Sequence, residues 1–172
     1  MEQKLYLKFP TMQDKSEWIE YYTEFKASNP DTNPLNFGLD KDYEEWLIDR
    51  TNESKGLNLK DGRVPSTIYF FMLDDKIIGH VSIRHNLEHE MLRTMGGHVG
   101  DGIRPSYRNQ GYGTKLLQMT LPKCKELGLN EIMITCKKEN VASEKCIRKN
   151  GAQFQDEIVY EGTPFLRFKI YL

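Results

Sequence analysis

The sequence predicts a mixed α/β domain with about seven strands and helices on both faces of the sheet. Three observations lead there. Segments with period-two alternation take turns along the chain with segments of helical period. Residues 97–127 read without a break as a buried strand, a glycine-rich basic turn and a helix. The chain has 172 residues, 38% of them apolar, enough for one sizeable core. No internal repeat, low-complexity run or linker divides it, so residues 1–172 are expected to form a single domain.

The elements follow in order. Lys4 to Phe9 alternates, with Leu5, Leu7 and Phe9 on one face, as a first strand does. Thr11 is placed to cap a helix with Trp18, Ile19, Tyr22 and Phe25 on one side, and Asp14 complements its start. The run 29–34 ends that helix. Asp40 can cap a second helix carrying Tyr43, Trp46, Leu47 and Arg50; its aromatic stripe reads as core that could also wall a substrate cleft. Residues 52–63 are polar and read as loop. Ser66–Leu73 and Ile77–Arg84 form a hairpin across Asp74-Asp75-Lys76. Residues 85–96 are a helical turn or ordered loop, a place where function often resides. Gly97–Ile103 is the next strand. The helix after it ends near Gly128 and contains Pro122, which removes the backbone bond to Gln118 and predicts a kink. Glu131–Cys136 is a strand, a short helix from about Asn140 closes at Asn150-Gly151, and strands at 154–160 and 165–172 make a last hairpin.

Composition narrows the function. The net charge of −1 and the lack of a basic run argue against a nucleic-acid partner. No apolar run approaches a membrane span, and Met1-Glu2-Gln3-Lys4 does not begin a signal peptide, so a cytoplasmic protein is expected. Cys124, Cys136 and Cys146 are an odd number at wide spacing. They fit buried thiols in a reducing compartment; no metal site is expected.

The turn at 108–113 carries the chemistry. Gly111 and Gly113 let backbone approach a ligand, and the first helical turn offers free N–H groups and the positive end of the helix dipole. Arg108 adds a charge nearby. That is a pyrophosphate cradle in outline, although the same residues also suit a plain strand-to-helix turn. It is neither a Walker loop nor a dinucleotide fingerprint, since no Gly-Lys-Ser/Thr follows and position 116 is Leu116.

Arg108-Asn109-Gln110-Gly111-Tyr112-Gly113, led in by Ile103-Arg104-Pro105-Ser106-Tyr107, resembles the signature of the GNAT superfamily of acyl-CoA-dependent N-acyltransferases. Asn140-Val141-Ala142-Ser143 with Asn150-Gly151-Ala152 resembles a second family motif, and Asp74–Val81 looks like the family's second and third strands. The resemblance spans nearly the whole chain. It implies a splayed mixed sheet that parts between the fourth and fifth strands, with acetyl-CoA as cosubstrate wedged in the gap. Backbone near Asp101, Gly102 and Ile103 would meet the acyl carbonyl and pantetheine. N–H groups of Arg108, Asn109, Gln110, Gly111, Tyr112, Gly113 and Thr114 would hold the pyrophosphate. Asn140 and Ser143 would line the pantetheine side. The acceptor would be a small-molecule or peptide amine, and dimers are common in such a family.

Two catalytic positions depart from the family pattern. The usual tyrosine, seven residues after the asparagine, is Ile147, and the usual glutamate falls at about Gly97. Asp101 is the preferred base, with His98 second and His89 and Glu90 as further candidates. By strand alternation Asp101 shares a face with Gly97 and Val99, while His98 lies opposite. The implied chemistry is direct attack of a neutral amine on the thioester, with no cysteine nucleophile. The alternative is a non-catalytic acyl-CoA-binding sensor, which a thiol-release assay over an amine panel would separate from an enzyme.

Overall fold

The computed structural model describes residues 3–37 and 42–172. Among these the order is β1 (Leu5–Lys8), α1 (Lys15–Ser28), α2 (Tyr43–Ser54), β2 (Ser66–Leu73), β3 (Lys76–Arg84), β4 (Val99–Ile103), α3 (Tyr112–Glu126), β5 (Glu131–Lys137), α4 (Val141–Lys149), β6 (Gln153–Tyr160) and β7 (Thr163–Tyr171). The expected α/β class and seven strands are present. The strands form two antiparallel sheets, β1-β2-β3-β4 and β5-β7-β6. No ladder joins β4 to β5, so the sheet parts between them.

Local details differ from the sequence reading. Asp40 lies outside the described residues. Asp42 caps α2, its Oδ1 accepting from the Glu44 and Glu45 N–H groups. Thr11 caps a short 3₁₀ turn ahead of α1, and the Asp14 carboxylate accepts from both the Thr11 N–H and hydroxyl at 2.8 Å. Helix α2 runs on to Ser54, because Arg50 and Glu53 turn inward on the face begun by Tyr43 and Trp46. The 85–96 segment closes with one wide π turn at Leu92–Gly96. Helix α3 continues through Pro122, which is exposed, as is Gln118 whose carbonyl it frees.

Two cores lie on opposite faces of the first sheet. One is aromatic: Trp18 stacks on Phe70 and Trp46 beneath α1 and α2, with Tyr21, Phe37 and Tyr43 around them. The other is mainly aliphatic and joins that sheet to α3, α4 and the second sheet through Val81, Val99, Leu116, Ile134 and Phe168. Burial of rings and branched chains on both faces fixes where β4 lies. The sheets meet just before β4. There the His98 N–H donates to the Met133 carbonyl at 2.8 Å. Gly97 takes a φ of 63°, and a Cβ on it would stand 2.7 Å from that same carbonyl oxygen. A side chain is excluded there by sterics. The missing glutamate therefore has a structural cause: this backbone is used to bring the two sheets together.

Candidate active site

Beyond the His98–Met133 junction the strands diverge and open a cleft of about 600 Å³. Its walls come from the end of β4, the turn before α3, and the starts of α3 and α4. Gly111 caps α3 with a left-handed φ of 84° and open space where a Cβ would be. The first N–H groups of the 15-residue helix α3 are thus uncovered toward the cleft. Asn140 caps α4, its Oδ1 accepting from the Ser143 N–H at 3.1 Å. Two helix starts converge on one cavity, an arrangement suited to an anionic, extended ligand.

Most of the residues expected at a cofactor line this cleft: Gly102, Ile103, Arg108, Asn109, Gly111, Gly113, Asn140 and Ser143. Three do not. Gln110 turns back to the Ser106 carbonyl. Tyr112 packs edge-on against Phe71 and Tyr107. The Thr114 hydroxyl faces the Cys146 sulfur. Backbone N–H groups at these positions stay in the helix start, so only their side chains are removed from consideration. Arg108 corrects the reading of a free charge. Its Nε donates to the Ile103 carbonyl and its Nη1 to the Ser28 hydroxyl, both at 3.1 Å, and its guanidinium lies over the Phe25 ring. It straps the end of β4 to α1. Gly113 has a packing reason too, because a Cβ there would be 3.1 Å from the Cys146 sulfur on α4.

Phe25, Asn29 and Thr32 also reach this cleft from α1 and the loop after it. Nothing in the sequence near them signals it, since tertiary packing alone brings them there. Ile147 is buried on the cleft wall, so the position expected to hold a tyrosine donor is apolar.

A second cavity of about 460 Å³ lies on the other side of β4, under α2, the 62–66 segment and β3. Phe25, Thr32 and Asp101 belong to both cavities. Asp101 therefore stands at the junction between them. Its side chain is exposed where the cavities open, and the protein packed around it pushes its carboxyl up from 3.8 to about 6 by desolvation. The hydrogen bond with its own backbone N–H opposes only part of that rise.

His98 is placed elsewhere. It lines neither cavity, and its Nδ1 accepts the Met133 N–H at 2.9 Å. Burial lowers its pKa. With one ring nitrogen committed to the backbone and no contact with either cavity, it has no geometry for taking a proton from a ligand. His89 and Glu90 are exposed and also outside both cavities. The histidine that does face the second cavity is one the sequence reading passed over. His80 is buried, its Nδ1 hydrogen-bonded to the Tyr21 hydroxyl. Burial drives His80 down to about 3 and Tyr21 well above its ordinary value. Both are neutral, the phenol donates, and the imidazole proton sits on Nε2.

Burial raises Cys124 to about 12 and Cys136 to about 11, and all three cysteines are unpaired thiols. Among the described residues no group of His, Cys, Asp and Glu could hold a metal ion. No helix among them is long and apolar enough to cross a membrane.

Two sheets that part at the middle strands, with two helix starts at the split, form a cleft suited to an extended anionic ligand, and comparison gives the chain a family. Residues 18–152 match the Acetyltransferase (GNAT) family. The chain belongs to that family and is an acetyltransferase with acetyl-CoA as cosubstrate. Solved structures agree in fold. An acetyltransferase of the GNAT family from Streptococcus pneumoniae superposes with a TM-score of 0.69 at 18% identity, covering 98% of this chain and 99% of that one. RimL, a ribosomal L7/L12 alpha-N-protein acetyltransferase in complex with coenzyme A, gives 0.67 at 16% identity over 98% and 94%. The microcin C7 self-immunity acetyltransferase MccE, in complex with acetyl-CoA and AMP, gives 0.65 at 13% identity over 98% and 93%. No curated protein matches the sequence.

Proposed function

We propose that this protein transfers the acetyl group of acetyl-CoA to a primary amine by direct attack in a ternary complex, with Asp101 as the general base. The observation that carries this reading is the position of Asp101 where the two cavities meet. Acetyl-CoA supplies an acetyl group activated as a thioester. The cleft at the starts of α3 and α4 is the part of the chain that fits it: N–H groups from Arg108 to Thr114 would hold the pyrophosphate, and Gly102, Ile103, Asn140 and Ser143 would line the pantetheine. The amine would enter through the second cavity, whose volume suits a small molecule or the end of a peptide. An amine reacts only when neutral, so its proton must leave, and a carboxylate at about 6 is a serviceable base at neutral pH. The exposed edge of β4 offers backbone donors where oxygen charge develops. No side chain replaces the family tyrosine at Ile147, and a thiol is acidic enough to leave without one. We read residues 1–172 as one domain, since the first sheet carries a core on each face. The unpaired thiols favour a reducing compartment such as the cytoplasm.

Thiol release over an amine panel tests the reading. Turnover is expected, with a rate that climbs through an apparent pKa near 6 as Asp101 loses its proton. Intact mass spectrometry under turnover should show no acetyl adduct on Cys124, Cys136 or Cys146. A stoichiometric adduct that passes to the amine would replace direct attack with a two-step route. Tight acetyl-CoA binding without turnover of any amine would leave a sensor instead.

A further inference from the structure

The cavity under α2 has a charge pattern that its role as an amine site leaves unexplained. Arg50, Arg63 and Arg84 all line it, with Glu53 the carboxylate beside them and Asp101 at the junction with the cosubstrate cleft. Glu53 forms ion pairs with Arg50 and with Arg63, the latter at 3.3 Å. Arg84 meets only neutral partners, donating to the Gly96 and Gly97 carbonyls at 3.1 and 2.9 Å. Three guanidiniums face two carboxylates in this cavity, and only Glu53 pairs with any of them, so the arginine wall carries excess positive charge. Arg50 is 6% exposed, and its Nε has no hydrogen-bond partner. A buried cationic donor left unpaired is costly, and here it lines a cavity large enough to admit the missing partner.

The cavities share lining residues. Asp101, Phe25 and Thr32 link this one to the cosubstrate cleft. Arg50, Glu53 and Arg63 also line a small neighbouring pocket. Arg50 and Arg63 therefore lie on the side shared with that small pocket, which has no residue in common with the cosubstrate cleft, while Arg84 stands beside Gly100, next to Asp101 at the junction. A ligand spanning the cavity would meet a carboxylate at one end and guanidiniums at the other. We propose that the acceptor is an amine bearing an anionic group, which docks on Arg50, Arg63 and Arg84 while its amine reaches Asp101. This rests on reading the cavity as the acceptor site. Guanidiniums suit the purpose, since their planar donor sets match the oxygens of a carboxylate or phosphonate. Burial lowers both Arg50 and Arg84, and Arg63 lowers each further, while Glu53, and Asp49 at Arg50, offset part of the fall.

Calorimetry in the presence of coenzyme A, which cannot react, reads the docking directly. The probes are amino acids of increasing length, from glycine through 4-aminobutyrate to 6-aminohexanoate, with the amide of each, the matching diamines and the matching aminoalkylphosphonates. At least one acid or phosphonate should bind about tenfold or more tightly than its amide and its diamine. Which of the two anions binds better assigns the carboxylate or the phosphoryl type. Arg63→Gln, on an arginine more exposed than Arg50, should remove about tenfold of that affinity while coenzyme A binding is unchanged. The proposal is overturned if amides or diamines bind as well as the anions, if no anion of either series binds, or if Arg63→Gln leaves anion affinity intact. Absence of thiol release with every amine would instead count against the acetyl-transfer reading, so the two failures are distinct.

Discussion

The two cavities that meet at β4 are built from different material. The cleft proposed for the cosubstrate is mostly backbone: the end of β4, two helix starts, and glycines at 102, 111 and 113. The cavity under α2 is mostly side chain: Arg50, Glu53, Arg63, His80 and Arg84, held against an aromatic core. Backbone recognition demands particular dihedrals and small residues at fixed spacing, so it is local and leaves a pattern in the sequence. Side-chain recognition draws single residues from α2, the 62–66 segment and β3, and leaves none. The difference predicts that the first cavity tolerates few changes at its glycines, and that the second is tuned one side chain at a time.

The largest effect should come from Gly113→Asp, which breaks the backbone side. It sets a carboxylate at the start of α3, where the dipole and free N–H groups await an anion. Acetyl-CoA binding should fall below detection by calorimetry. Because a Cβ at 113 also crowds the Cys146 sulfur, Gly113→Ala in a Cys146→Ala background is the packing control and should keep binding. Retained affinity in the aspartate variant would take the cradle out of the argument.

Asp101→Asn acts at the shared point and should lower kcat by about 10²–10⁴-fold with little change in acetyl-CoA affinity. The ascending limb near 6 should vanish with it. The same variant should be more thermostable at neutral pH. The folded pKa of Asp101 is raised, so the folded state holds its proton more tightly between about 4 and about 6, and ionisation above that window weighs against folding. A variant that loses both activity and melting temperature would mean that Asp101 holds the strands together instead.

Much of this was legible beforehand, for reasons particular residues show. The seven strands follow from alternation, as at Lys4–Phe9, or from a buried run bounded by turns, as at Ser66–Leu73 and Gly97–Ile103, and the Arg108–Gly113 turn marks the cleft. The misreadings are cases where tertiary contact decided. Arg108 looked free and is tied to Ile103 and Ser28. Gly97 looked like a lost glutamate and is the point where the sheets touch. His80 was one of several alternating strand residues until Tyr21, 59 positions earlier, supplied its partner. The arginine cluster joins residues from three separate segments, so no spacing could have announced it.

An intermediate effect sharpens the side-chain half. His80 is neutral in the fold with a pKa of about 3, against about 6.5 when unfolded. As pH falls below 6.5 the unfolded chain takes up a proton that the folded chain refuses. The folded state should thus lose about 2 kcal/mol from this group between pH 7 and pH 5. His85 and His98 are lowered by burial and act in the same direction, whereas Asp101 opposes them. Urea unfolding at the two pH values should show the fall, and Asp101→Asn should deepen it by removing the opposing uptake. Equal stability at both pH values would mean that His80 is not sealed between Tyr21 and Phe25.

The smallest effect should be that of His98→Gln, and its smallness is the point. His98 lies three residues from Asp101, and an unperturbed histidine, near ~6.5, would be the readier base. The structure gives its Nδ1 to the Met133 N–H and keeps it out of both cavities. A glutamine oxygen can accept from the same N–H, so the sheet junction should survive with a loss of no more than about 1 kcal/mol. The pH–rate curve should keep its limb near 6, because Asp101 still carries it. Should the limb vanish in His98→Gln and persist in Asp101→Asn, the proton passes through the sheet junction, and the shared wall of the two cavities is not where the chemistry happens. Should both variants keep the limb and the rate, the amine loses its proton to water, and what Asp101 contributes at the junction is position.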